Sequence, residues 1–142
     1  MLRMMMGVSL CLAVLASAGC GSSDQESPRV QLSGIVTLDG TPLESGQITF
    51  IPKDGKLQPT GAGISAGGTF SAAVAPGAMQ VEIRSPKVTG TRKAYDTPDS
   101  PLIDITVEQI PSRYNTKSEL SIDVVKGQNN DKVKFELKSG NK

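Results

Sequence analysis

From Val30 onward the chain is written in short runs of alternating apolar and polar residues, cut every few positions by glycine and proline pairs. This pattern limits the fold more than any other feature, because a two-residue period puts one set of side chains on each face of a pleated strand. "VKFELK" is the clearest run, with Val133, Phe135 and Leu137 on one face and Lys132, Lys134, Glu136 and Lys138 on the other. "ELSIDVV" repeats it, setting Leu120, Ile122 and Val124 against Ser121 and Asp123. Between them "KGQNND" is rich in Gly and Asn, which accept positive φ, and it predicts a hairpin joining the two runs.

Upstream, Val30–Leu38 and Gly46–Ile51 read as strands around "DGTPLESG", where Asp39-Gly40 turns the chain and Pro42 stops the strand. Thr60–Ser65, Thr69–Val74 and Met79–Arg84 follow, separated by Gly67-Gly68 and Pro76-Gly77. Every helical candidate beyond Cys20 is broken by Gly or Pro. Seven short strands in about 110 residues predict an all-β fold, an antiparallel seven-stranded β-sandwich over residues 30–139.

The N-terminal stretch follows a different logic. Arg3 supplies a positive start, Met4 to Ala16 an apolar run, and Ser17, Ala18 and Gly19 small residues before Cys20, the layout of a signal peptide over residues 1–19. The apolar stretch is too short for a membrane span, which takes roughly 20 residues. "SAGC" resembles the lipobox of bacterial lipoproteins, although Ser17 stands where that pattern usually has Leu. The resemblance implies cleavage before Cys20 and a diacylglycerol on its sulfur. Cysteine arithmetic agrees, since cleavage removes Cys11 and lipidation consumes the only other thiol. The sandwich then has to hold together without a disulfide. Residues 20–29 are small and polar after Cys20 and read as a lipidated flexible tether. In Gram-negative lipoproteins an Asp just after the cysteine favours inner-membrane retention; Gly21 stands there instead, and the resemblance then implies the outer membrane.

Family resemblance is visible in the folded part. "SGIVTLDGTPLESGQITFIP" (Ser33–Pro52) and "GGTFSAAVAPGAMQVEI" (Gly67–Ile83) are similar to the opening units of carboxypeptidase regulatory-like, transthyretin-like domains. "IPSRYNTKSELSIDVVKGQNNDKVKFEL" (Ile110–Leu137) resembles the closing segment of small bacterial lipoproteins of this type. The resemblance implies a transthyretin-like or Ig-like sandwich and a non-catalytic companion or scaffold role in the cell envelope.

Composition narrows the chemistry. With Arg3 removed, fourteen basic residues face fourteen acidic ones, a balance that implies neither nucleic acid nor an anionic lipid surface as partner. Histidine is absent, which deletes the usual general base and the commonest nitrogen ligand of transition metals. "GAGISAGG" is followed by strand-like "TFSAAVAPG" rather than the helix a dinucleotide loop needs, so it reads as a tight hairpin. Asp96, Asp99 and Asp104 lie close in sequence but lack the spacing of a calcium loop, and read as solvated carboxylates. Ser118 has no histidine and no Ser-x-x-Lys spacing to activate it. No catalytic residue, metal ligand or cofactor is expected. With no tryptophan and two tyrosines the chain is poorly stocked for a sugar platform. Tyr114 of "SRYN" is expected to bury its ring at the sandwich edge and bond backbone through its hydroxyl, with Arg113 as a rim partner.

"SPKVTGTRKAYDTPDSP", Ser85 to Pro101, reads as the longest irregular stretch, and compact domains seldom keep one without a use. Lys87, Arg92 and Lys93 fill its first half and Asp96 and Asp99 its second, around Tyr95. Lys87, Arg92, Lys93, Tyr95 and Asp96 therefore form the candidate partner-binding loop. The expectation for the whole chain is a membrane-anchored, non-catalytic envelope lipoprotein, a structural or protein-interaction module with an envelope protein or glycan as partner. The alternative is a periplasmic binding module for a small ligand, metal ion or glycan.

Overall fold

Alternating runs become strands wherever one face finds a core. In the computed structural model, which describes residues 28–128 and 130–140, β1 (Val30–Leu38) ends at Asp39-Gly40. Both residues have positive φ, 52° and 83°, the backbone of a two-residue type I′ turn. The chain doubles back through β2 (Thr41–Pro42), a stub beside β1 that proline cannot extend. There follow β3 (Gly46–Pro52), β4 (Thr60–Ile64), β5 (Thr69–Val74), β6 (Gly77–Arg84), β7 (Pro86–Lys93) and β8 (Leu102–Glu108). A single 3-10 turn (Ser112–Tyr114) then leads to β9 (Ser121–Val124) and β10 (Val133–Leu137). The expected leader at residues 1–19 and the expected anchor Cys20 lie outside the described residues. Arg29, expected at the end of the tether, already belongs to the fold: its guanidinium donates to the Thr60 hydroxyl and to the Ala73 carbonyl.

The main sheet runs β10-β1-β5-β4-β3-β6-β9, with β2 beside β1. Its middle is thin, because β4 and β5 share the single pair Ile64↔Phe70. On one side β10, β1 and β5 pair over long registers, and on the other β4, β3, β6 and β9 do the same. The path curls at this joint and folds its apolar faces together into a sandwich-like arrangement. Phe50 of β3, Phe70 of β5 and Phe135 of β10 form a chain of tilted rings across the interior, each 6.0 Å from the next. Leu32, Ile48, Val81, Ile83 and Leu137 are fully buried around them. The all-β character and the core-facing runs follow the sequence pattern.

Two details of the architecture differ from expectation. The described residues hold ten strands rather than seven, the additions being the stub β2 and the pair β7 and β8. The last two strands do not form a hairpin. β9 joins β6 antiparallel, whereas β10 crosses to the opposite edge and joins β1 in parallel, Gly34↔Val133 through Leu38↔Leu137. The Gly- and Asn-rich loop can turn the chain, but it cannot decide which sheet edge receives the next strand. At Gly34 the β1 and β10 backbones come so close that a Cβ would overlap the Val133 carbonyl.

Candidate functional site

β7 and β8 form a separate two-stranded antiparallel ribbon, and its root is fixed by a small polar network. Ser85, only 1% exposed, donates its hydroxyl to the Ser45 carbonyl at 2.7 Å and its N–H to Glu108 Oε1 at 2.8 Å. The same Glu108 oxygen accepts the Ile110 N–H at 3.0 Å, and the Gln109 amide donates to the Ser85 carbonyl and hydroxyl. One carboxylate thus satisfies two backbone donors where the chain enters and leaves the ribbon, and charge-assisted bonds of this kind are the stronger ones. Just beyond, Ile110 enters the core and buried Asn115 donates to its carbonyl at 2.9 Å. Tyr114 is half-buried against the core and its hydroxyl accepts the Lys138 N–H, while Arg113 lies over the Tyr114 ring and donates to the Lys138 and Gly140 carbonyls. The "IPSRYN" segment therefore follows the root of the ribbon and ties down the C-terminal end, and Tyr114 has the packed ring and backbone hydrogen bond expected of it.

The expected irregular loop over Ser85–Pro101 is corrected here. Its first half is strand β7, and residues beyond Pro101 supply the partner strand. Directly opposed residues share a face, so the register sorts the side chains. Lys87, Gly90 and Arg92 lie across from Val107, Ile105 and Ile103 on one face; Val88, Thr91 and Lys93 lie across from Thr106, Asp104 and Leu102 on the other. A bulge between Val88 and Gly90 keeps the two alternations in step. Lys87 and Arg92 are thus brought together with an Ile-Ile-Val stripe, and Lys93 is turned away from them. Tyr95 and Asp96 sit in the tip, where the Tyr95 N–H donates to the Ser100 hydroxyl and Lys93 Nζ to the Thr97 carbonyl. Every residue of both strands is exposed, including Leu102 at 67% and Val107 at 53%, and Tyr95 reaches 71%. The reading missed Ile103, Ile105 and Val107. Their alternation in "LIDITVE" is a strand signal that was available to find them.

Other chemistry is sparse. A cleft of about 420 Å³ beside the root is lined by Leu43, Glu44, Ser45, Ser85, Lys87 and Gln109 among others, but the Ser85 and Gln109 polar groups already serve the root network. Asp104 faces Thr91 within the ribbon, away from the tip that carries Asp96 and Asp99. Among the described residues, no group of three His, Cys, Asp or Glu side chains converges as metal ligands would. Ser118 donates to the Val81 carbonyl and accepts the Leu120 N–H, a structural use of its hydroxyl. "GAGISAGG" is the tight β4–β5 hairpin, closed by the Ser65 N–H on the Thr69 carbonyl. No family model, curated protein or solved structure matches this chain, so its likeness to transthyretin-like domains rests on the sequence motifs alone.

Proposed function

We propose that this chain is a non-catalytic lipoprotein of the cell envelope, held to the membrane by lipid on Cys20, that works as a structural or protein-interaction module. One observation carries the reading: the β7–β8 ribbon presents the contiguous stripe Ile103, Ile105 and Val107 to solvent on one face, with Val88 and Leu102 exposed on the other, from a hydrogen-bonded root. Soluble surfaces seldom keep contiguous apolar side chains without a contact to make. The leader and the small residues before Cys20 support export and anchoring, with the outer membrane as the destination and the periplasm or exterior as the compartment faced. The even balance of side-chain charge argues against a nucleic acid partner. A small-ligand role has the cleft beside the root in its favour, but the Ser85 and Gln109 groups at its base are spent on the root network.

Two experiments test the reading. Cys20→Ser should move the chain from the membrane fraction to the soluble fraction with its melting temperature unchanged; retention after a high-salt wash defeats the anchor. Replacing residues 86–107 with a short Gly/Ser linker should abolish crosslinking to envelope components on native membranes. Crosslinking that persists at the wild-type level removes the ribbon from the function.

A further inference from the structure

We infer that β8 is a pairing edge through which two copies of this chain associate, antiparallel about a two-fold axis at Ile105. The inference rests on the ribbon being a contact surface and names the partner of that surface. Natural sheets blunt their free edges with proline, bulges and charged side chains, lysine above all. All three devices occur on β7: Pro86, the bulge at Thr89, and the cations Lys87, Arg92 and Lys93. β8, "LIDITVE", has no proline, no bulge and no lysine over its seven residues; of its two charges, Glu108 is turned to the Ser85 and Ile110 N–H groups, which leaves Asp104. The cleft at the root is walled on the ribbon side by Pro86, Lys87 and Val88, and no residue of β8 lines it.

Hydrogen bonds fix which backbone groups β8 offers. The Ala94 N–H donates to the Pro101 carbonyl, the Thr89 hydroxyl to the Ile105 carbonyl, and the Gln109 N–H to the Ser85 carbonyl. Odd-numbered residues therefore face β7, and by alternation Leu102, Asp104, Thr106 and Glu108 turn their N–H and C=O groups outward. Among the described residues no strand covers that side.

Strand length and charge together select one register, since two-folds centred on Ile103 or Val107 overlap only three residues of β8 in each copy. A two-fold centred on Asp104 sets that carboxylate against its own copy, and one centred on Thr106 sets Asp104 against Glu108. Centring on Ile105 opposes Asp104 with Thr106, Leu102 with Glu108, Ile103 with Val107, and Ile105 with itself. No like charges meet, and the Ile-Ile-Val stripes of the two copies run side by side on one face. The product is a continuous four-stranded sheet, β7-β8-β8-β7. Strand pairing of this length is a small interface, so the dimer is of modest affinity.

Cysteine scanning of the full chain tests the register, with the parent chain reporting any link made by its own Cys11 and Cys20. Ile105→Cys should give a disulfide-linked dimer on mild oxidation, because directly opposed non-hydrogen-bonded residues bring their Cβ atoms to about 4.5–5.5 Å. Ile103→Cys should not, since its copies lie about four residues apart along the strand, roughly 13 Å. Thr106→Asp creates two like-charge oppositions per dimer and should raise the dissociation constant about tenfold; adding Asp104→Lys should restore association. A chain that stays monomeric at every concentration, or links equally well through position 103, overturns the β8 dimer. If such a monomer still crosslinks to another envelope component through the ribbon, the second copy is wrong while the contact surface stands. A dimer that survives replacement of residues 86–107 overturns the role of β8 and of the ribbon together.

Discussion

Gly34 shows how a single residue can decide whether the fold closes. It lies in β1 between the buried Leu32 and Val36, where an apolar side chain would ordinarily continue the core face. The parallel approach of β10 leaves no room for one, because a Cβ there would overlap the Val133 backbone. Backbone cannot move aside as a flexible side chain can, so Gly34→Ala should destabilise by about 1–3 kcal/mol or more, the range of overpacking, although alanine is the better residue elsewhere. Denaturant unfolding of the variant checks this, and an unchanged midpoint would mean that β1 and β10 are not so close. At the far end of β1, hydrogen bonds from Ser139, aided by the positive charges of Lys138 and Arg113, hold the Asp39 carboxyl below the ordinary aspartate range. A depressed folded value stabilises above the unfolded value and ceases to do so as pH falls through the folded one. Asp39→Asn keeps a residue suited to positive φ but removes the charge. Its stability deficit should therefore be full at neutral pH and shrink in acid, which paired denaturant titrations across the acid range would reveal.

Among the elements, the ribbon should be dispensable for folding and its root should not. No residue of β7 or β8 is buried, so excising 86–107 removes no core and should leave the melting temperature within a few degrees. The Pro86↔Glu108 pair places the two cut ends side by side, within reach of a short linker. Glu108→Ala, by contrast, leaves the Ser85 and Ile110 N–H groups without their acceptor and should cost about 1–3 kcal/mol. Thermal melts of the two variants separate these roles. The same distinction explains what could be read in advance. β1, β3, β5 and β10 announce themselves because burial on one face forces alternation, whereas "PKVTGTRK" has no buried face to impose a pattern and passes for a loop. β8 does alternate, yet Ile103, Ile105 and Val107 escaped notice because they follow a Pro- and Asp-rich tip. For the same reason Lys87, Arg92, Lys93, Tyr95 and Asp96 could be gathered from sequence as one surface, but not divided between two faces and a tip. That division needs the register, and the register needs the strand.

For the molecule as a whole, the decisive feature is the joint between β4 and β5. One backbone pair, Ile64↔Phe70, links two well-paired halves, so their union depends on side chains rather than on a hydrogen-bond ladder. Phe70 is the residue best placed to supply it: its ring meets Phe50 from one half and Phe135, the last strand's contribution, from the other. Phe135 carries the clearest alternation in the sequence, but Phe70 touches both neighbours and should matter at least as much. Truncating a buried Phe to Ala costs about 3–5 kcal/mol, a large share of the stability of a single domain. Phe70→Ala should therefore fall in or above the upper half of that range. Phe50→Ala and Phe135→Ala should each couple to it in double-mutant cycles, yet be nearly additive with each other. Urea unfolding of the three single and three double variants gives all the terms. If Phe50 and Phe135 proved as strongly coupled to one another as each is to Phe70, the halves would be meeting directly and the ring chain through Phe70 would not be what joins them.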